Sequence, residues 1–237
     1  MRTQWVIPPS QNAAFVCQME MVLDLYHQPY DPARPVVCFD EKPCQLRGHV
    51  RDPLPMRPAT ETAAGRVPSR PQREDHEYLR KGTANVLLAV EPLTGRRQLW
   101  VRPKRRKIEF AEVAWKLVEE VYPEAERIRL VCDNLNTHTA AAFYERFDPE
   151  TARMLTRKVE FIYTPKHGSW LNVAEIDLSA LGRQCLDRRI ESLERLTVEA
   201  AAWEGDRNQQ ATPIRWQFTT EEARIKLHRL YPEYLSE

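Results

Sequence analysis

Apolar residues recur along this chain with two different periods. Phe15, Met19, Val22, Leu23 and Tyr26 fall three or four apart, which predicts a helix over Gln11–His27. The short apolar run Val36-Val37-Cys38-Phe39 predicts a buried strand ending in Asp40 and Glu41. Two further strands are predicted over Thr83–Val90 and Gln98–Val101, joined through Glu91-Pro92-Leu93-Thr94-Gly95. Helical spacing returns at Phe110, Val113, Ala114, Leu117, Val118 and Val121, so Ile108–Tyr122 is read as a helix that Pro123 stops. Arg127–Asp133 reads as a strand that again ends in an acid, Thr139–Phe147 as a short helix, and Val159–Tyr163 as a strand. A loop over Thr164–Ser169 leads into a helix from Trp170 to Leu186, and two more helices are expected near Ser192–Arg207 and Thr220–Tyr231.

This order, a run of strands followed by alternating helices and strands, predicts an α/β fold: a mixed sheet flanked by helices. Residues 1–30 read as a linker, at 6–10, and an N-terminal helix; 31–190 form the core; 191–237 form a helical extension. Residues 43–82 break the pattern. They are rich in proline and arginine, have no clear period, and read as a long loop or hairpin insertion, of the kind that is either functional or disordered.

Composition adds limits. With 42% hydrophobic and 29% charged residues in 237, the chain can bury a substantial core. No apolar run approaches the roughly 20 residues that cross a bilayer, and the N-terminus lacks a signal-peptide core, so a cytoplasmic protein without a membrane partner is expected. Five scattered cysteines include no CxxC pair, which supports neither a disulfide framework nor a zinc site; Cys38 and Cys132 read as packing residues. Net charge is +1, but residues 44–107 carry 15 Lys and Arg against 6 Asp and Glu. A basic segment beside an acidic remainder suits a protein that grips phosphates with one part and holds cations with another.

The candidate chemistry lies in the acids. Asp40 and Asp133 each end a buried strand, where a carboxylate is costly unless it is paired or binds a cation. Two such acids on neighbouring strands repel, and a metal relieves the repulsion. Magnesium accepts one or two carboxylates plus substrate phosphates, and paired ions serve phosphodiester chemistry. A third acid is expected from the helix after Trp170, which offers Glu175 and Asp177. They flank the stripe Leu171, Ala174, Leu178, Leu181, Cys185, and at about 100° per residue they point about 160° apart. Helix geometry does not choose between them.

Three blocks occur in order: Phe39-Asp40-Glu41-Lys42-Pro43, then Cys132-Asp133-Asn134-Leu135-Asn136-Thr137-His138, then Tyr163-Thr164-Pro165-Lys166-His167-Gly168-Ser169-Trp170-Leu171-Asn172-Val173-Ala174-Glu175. Together they resemble the bacterial insertion-sequence transposases of the mariner superfamily, over nearly the whole chain. The resemblance implies a ribonuclease H-like fold and a metal-binding catalytic triad of Asp40, Asp133 and Glu175, with 41 residues between the last two. It further implies Mg2+ or Mn2+, two ions in all, cleavage at transposon ends, 3′-hydroxyl attack on a TA-containing target in double-stranded DNA, and a homodimer on DNA. Asp177 is then left as a solvent or salt-bridge residue.

Other residues are expected in supporting parts. Asn134 and His138 flank the second acid and are read as orienting it or touching DNA, with His138 equally able to cap the next helix. Lys166 and His167 precede the third acid as phosphate contacts. The acid-free run Lys104-Arg105-Arg106-Lys107 is a nonspecific phosphate-binding candidate, and the 43–82 insertion a clamp on DNA or on a partner subunit. Glu41, alternating away from Asp40, is read as a surface acid. Family members carry helix-turn-helix modules ahead of this domain. The chain begins at what reads as the linker after them, so a separate or upstream recognition half is expected. A ribonuclease H-like nuclease with another substrate, and a truncated, catalytically idle DNA-binding or assembly remnant, are the competing readings.

Overall fold

The computed structural model describes residues 7–233 except 9, 63 and 64; Val6 and Pro9 of the expected linker thus lie outside the described residues. Helix α1 (Ala13–Tyr26) is capped by Asn12, whose side-chain oxygen accepts from the Phe15 amide at 3.0 Å. Strand β1 (Val36–His49) pairs antiparallel with β4 (Tyr78–Glu91), which pairs antiparallel with β5 (Arg96–Arg102). On its other side β1 runs parallel to β6 (Ile128–Cys132), and β6 parallel to β7 (Val159–Tyr163). The sheet order β5-β4-β1-β6-β7 is mixed and flanked by helices, the ribonuclease H-like arrangement expected from the sequence.

Both faces of the sheet are covered, and alternation along β1 decides what goes where. Val36 and Cys38 join a core with Met19, Leu23, Leu88, Leu171, Leu181 and Trp203. Val37 and Phe39 join a second core with Leu87, Phe110, Leu130, Phe143 and Leu155 on the opposite face. The first core holds α1, α5 (Ala174–Gln184), α6 (Leu193–Gln210) and α7 (Thr220–Lys226) against the sheet; the second holds α2 (Lys107–Lys116), α3 (Ala141–Arg146) and α4 (Pro149–Lys158). A strand buried on both faces reads as continuous apolar sequence, as Val36–Phe39 does. Among the described residues no helix is long and apolar enough to cross a membrane.

Several boundaries move. Helix α4 was not visible in the pattern, because only Ala152 and Leu155 of its ten residues are buried. What starts it is local: Asp148 accepts from the amides of Glu150 and Thr151, both at 3.0 Å, and Pro149 takes the first turn. Helix α2 passes into one π turn at Leu117–Val121. The helix expected from Trp170 begins at Ala174 instead, after a 3-10 turn at Ser169–Leu171. The edge strand β5 is protected by α6 rather than by another strand. Asn208 accepts from the Arg97 amide and donates to its carbonyl, both at 2.8 Å, and Glu204 accepts from the Leu99 amide at 3.1 Å.

The proline-rich insertion is a hairpin arm, not a loop. Strands β1 and β4 continue to His49 and Tyr78, past a bulge where Gly82 sits at φ 100°. The same register persists in the reciprocal pairs Leu54–Arg73 and Arg57–Arg70 and in the short hairpin β2 (Thr60–Thr62) with β3 (Gly65–Val67). Successive pairs at 54, 57 and 60 stand three residues apart, with Pro55 and Pro58 between them, so proline's missing N–H costs the ladder nothing. Nearly every side chain of this outer arm is exposed.

Candidate active site

Three elements each contribute one of the expected carboxylates. Asp40 lies in β1, half-buried, paired across the ladder with Leu88. Because Asp40 shares its parity with Val36 and Cys38, it belongs to the face that α5 covers. Its Oδ1 accepts the Glu41 amide at 2.7 Å. Asp133 follows directly on β6, the parallel neighbour of β1. Glu175 is exposed in the first turn of α5, where the positive end of the helix dipole favours an anion. Asp40 feels the other two: burial first, then the charges of Glu41, Asp133 and Glu175, raise its pKa to about 7 against the single opposing hydrogen bond from the Glu41 amide.

The turn before α5 aims Glu175. Pro165 to Gly168 closes through a Gly168 amide to Pro165 carbonyl bond of 2.8 Å, with His167 in the left-handed region at φ 67°. A side chain at 168 would lie 2.5 Å from Pro165 Cγ, so only glycine fits. Asn172, 2% exposed, then ties the helix start to β1: its Nδ2 donates to the Phe39 carbonyl at 2.8 Å, and its Oδ1 accepts from the Ala174 amide at 3.2 Å. The Tyr26 hydroxyl donates to the Leu171 carbonyl at 2.7 Å, fixing the same turn from α1.

Asp177, the alternative third acid, is on the other side of α5. It is fully buried, 2.9 Å from Arg97 Nε and 3.3 Å from Arg207 Nη2. Arg97 is itself completely buried and also donates to the carbonyls of Gly95 and Thr212. Of the two fates expected for Asp177, the salt bridge is the one observed, and its charge is spent holding β5, α5 and α6 together.

Glu41 is not a surface acid. Alternation does carry it away from Asp40, but the face it reaches is covered by α2 and α3. Its carboxylate, 5% exposed, stands 3.0 Å from His138 Nε2 and 3.6 Å from Arg105 Nη1. His138, 1% exposed, packs edge-on to Phe39 and against Phe110. Its other ring nitrogen, Nδ1, lies 2.6 Å from Asp133 Oδ1. Burial alone would pull the imidazole toward neutrality; contacts with Asp133, Cys132 and Glu41 override it and push the pKa up to about 12. A ring this enclosed cannot touch DNA, which corrects one expectation for His138.

The remaining expected DNA contacts are on the surface. Asn134, Lys166 and His167 are exposed. In the basic run, Lys104 is exposed, while Arg106 pairs with Glu109 at 2.7 Å, Lys107 with Glu145 at 2.5 Å, and Arg105 with Glu41. The Lys107–Glu145 pair is solvent-exposed and worth little, so a phosphate can exchange for it, whereas Arg105 and Arg106 each face a buried carboxylate. Sequence reasoning missed Asn172 and Arg97 altogether. The signals were an amide polar residue inside an apolar helix start and an arginine at an otherwise apolar strand position.

The donor set fits a hard divalent cation: oxygen ligands, with Asp40 destabilised by carboxylate neighbours that a cation would offset. Among the described residues no three His, Cys, Asp or Glu side chains are gathered tightly enough to ligate one ion as placed. Magnesium does not require such a cage, since waters and substrate phosphates complete its shell.

No curated protein matches the chain. Solved structures give the fold. The Mos1 mariner paired-end complex with Mn is similar at TM-score 0.56 and 15% identity, over 98% of this chain and 68% of that one. The corresponding Mos1 complex with Mg is similar at TM-score 0.53 and 15% identity, over 98% and 67%. A Mos1 transposase paired-end complex with the left transposon end is similar at TM-score 0.52 and 15% identity, over 86% of this chain and 59% of that one, so this chain spans about three-fifths of that relative's length. A family profile described as DDE superfamily endonuclease covers residues 35–197, from the start of β1 to the opening of α6, and so takes in all three carboxylates. On that match over more than half its length, the chain belongs to the DDE superfamily of endonucleases.

Proposed function

We propose that the chain is the catalytic domain of a DNA transposase, which cleaves strands at transposon ends and transfers them to a TA-containing target. One observation carries the reading: Asp40, Asp133 and Glu175 come from three separate elements, and the latter two charges both press on Asp40. Bound Mg2+ or Mn2+, two ions in the proposal, would activate the attacking oxygen and stabilise the leaving one. The chain's own residues do the rest. Asp40 offers a ligand from β1, and Asp133 offers one from just past the end of the neighbouring parallel strand β6. Glu175 adds a third from a helix start that Asn172 holds to β1. Family membership and the likeness to transposases solved with Mn and Mg support divalent metal use.

DNA is the proposed partner. Lys104, Arg105, Arg106, Lys107, Lys166, His167 and Asn134 are proposed contacts, mostly to phosphates, which position a duplex without reading its sequence. The hairpin arm over 43–82 is proposed to clamp DNA or the second subunit of a homodimer. Recognition of particular ends is assigned to a helix-turn-helix half, upstream or separate, and the site of action to the cytoplasm at the nucleoid.

The test is joining. A DNA end with a free 3′-hydroxyl is incubated with a supercoiled TA-containing plasmid, Mg2+ or Mn2+, and the chain fused to a recognition module for that end. The proposal expects joined product that requires metal and the 3′-hydroxyl. Nicking without joining would indicate a nuclease of the same superfamily. Binding with neither reaction would indicate an idle remnant.

A further inference from the structure

We infer that Glu41 and His138 form a buried positioning pair that holds Asp133 for metal binding, an inference resting on the proposed metal-dependent reading. The chain of contacts is short. Asp133 Oδ1 lies 2.6 Å from His138 Nδ1, and His138 Nε2 lies 3.0 Å from Glu41 Oε2. Both imidazole nitrogens lie at ion-pair distance from a carboxylate, and Nδ1 also lies 3.3 Å from the Asp133 carbonyl, so the ring is held between the two acids. Phe39 and Phe110 wall it in, at ring-centroid distances of 5.3 and 4.9 Å.

Burying an acid and a histidine beside each other is expensive, and a hydrophobic pair would fill this space more cheaply. A positional duty accounts for the arrangement. Asp133 sits just beyond the last residue of β6, in the segment leading to α3, where the sheet no longer fixes its side chain. His138 holds one of its oxygens and leaves the other free of the ring. Glu41, which also faces Arg105, closes the far side of the ring at 3.0 Å and sets its orientation. The three side chains also come from both sides of the fold's centre. Glu41 is adjacent to Asp40 in β1, so one strand places a ligand on one face and the anchor of a second ligand on the other.

Partners that hydrogen-bond ligating groups typically contribute 10- to 100-fold to metal affinity. The experiment is titration of Mn2+ with free Mn2+ read by electron paramagnetic resonance, with folding checked by thermal melts. The proteins are wild type, Asp133→Asn, Glu41→Gln, His138→Ala, His138→Asn and the double variant Glu41→Gln/His138→Ala. Glu41→Gln and His138→Ala should each weaken Mn2+ binding about 10-fold. The double variant should be no worse than His138→Ala, because Glu41 acts through the ring. His138→Asn should recover part of the loss, since its amide can still donate to Asp133. Glu41→Gln keeps the side chain's size and carries the test if His138→Ala does not fold. Mn2+ binding by folded Glu41→Gln equal to wild type, or losses that multiply in the double variant, would overturn the pair while leaving the metal reading intact. If wild type binds no Mn2+, or Asp133→Asn binds it equally well, the metal reading fails and this inference with it.

Discussion

The side-chain amide of Asn172 donates to the backbone carbonyl of Phe39 at 2.8 Å, which joins the start of the Glu175 helix to the residue preceding Asp40. This buried hydrogen bond, with the Tyr26 hydroxyl on the Leu171 carbonyl and the packing of α5, helps set the distance between two of the three carboxylates. Asn172→Ala should leave that carbonyl unpaired in the core and cost about 1–3 kcal/mol. It should also lower the rate of metal-dependent cleavage by about 10-fold or more, since small displacements of reacting groups are expensive. Urea denaturation and single-turnover cleavage measure the two effects separately. An unchanged rate in a destabilised protein would show that the bond serves folding alone.

Glu175 and Asp177 make a contrasting pair on one helix. Glu175→Gln should abolish cleavage and leave the melting temperature within a few degrees, because the side chain is exposed. Asp177→Ala leaves Arg97 buried without its carboxylate and should cost about 3–5 kcal/mol. Thermal melts of the two variants decide it. Equal destabilisation by both would mean that Glu175 also carries structure.

Without metal, two groups at the site should each add a pH dependence to stability. Asp40 has its folded pKa raised from 3.8 to about 7, so its contribution is fully present below 3.8 and is lost as pH rises through about 7. Asp40→Asn should accordingly stabilise the metal-free protein at pH 8 by about 1–3 kcal/mol and do little at pH 4. His138 is raised from 6.5 to about 12, so its contribution is complete below 6.5 and declines as pH climbs toward 12. Replacing it with glutamine should flatten stability above pH 6.5. Denaturation series with chelator at pH 4, 6 and 8, and at pH 9 for the histidine, test both signs. An Asp40→Asn protein less stable than wild type at pH 8 would refute the first.

The arm contributes nothing to either core beyond its base, where Leu46 is buried. Replacing residues 50–77 with a two-residue turn removes Glu74 and the Asp75 carbonyl, partners of the largely buried Arg189, and should cost about 1–3 kcal/mol. It should weaken DNA binding or self-association. Mobility-shift and sedimentation measurements that match wild type in both respects would remove the proposed clamp.

How much of this was legible in the sequence follows from what each residue meets. The acids at 40 and 133 stood out because apolar runs precede them, but only Asp133 follows a strand end; Asp40 was expected to end its strand, and β1 instead runs on to His49 as the base of the hairpin arm. The ribonuclease H-like sheet followed from element order and the three motif blocks. Helix α4 was lost because its burial rests on two small or medium residues, and its start is a cap rather than a period. Glu41 was misplaced because strand alternation predicts the opposite face, not whether that face meets water. Here α2 and α3 cover it. Helix geometry left Glu175 and Asp177 undecided and the motif resemblance chose Glu175; the partner that occupies Asp177, Arg97, lies 80 residues away in sequence and joins it only in the folded chain.

The account's central claim is that Asp40, Asp133 and Glu175 act together in metal-dependent phosphodiester chemistry. Its most direct test is nicking of supercoiled DNA in Mg2+ and in Mn2+ by wild type, Asp40→Asn, Asp133→Asn and Glu175→Gln, each first shown to be folded. The account predicts metal-dependent nicking by wild type and at least a 100-fold loss in all three variants, as for groups that act as a unit. Nicking that survives in any one folded variant at the wild-type rate would contradict it.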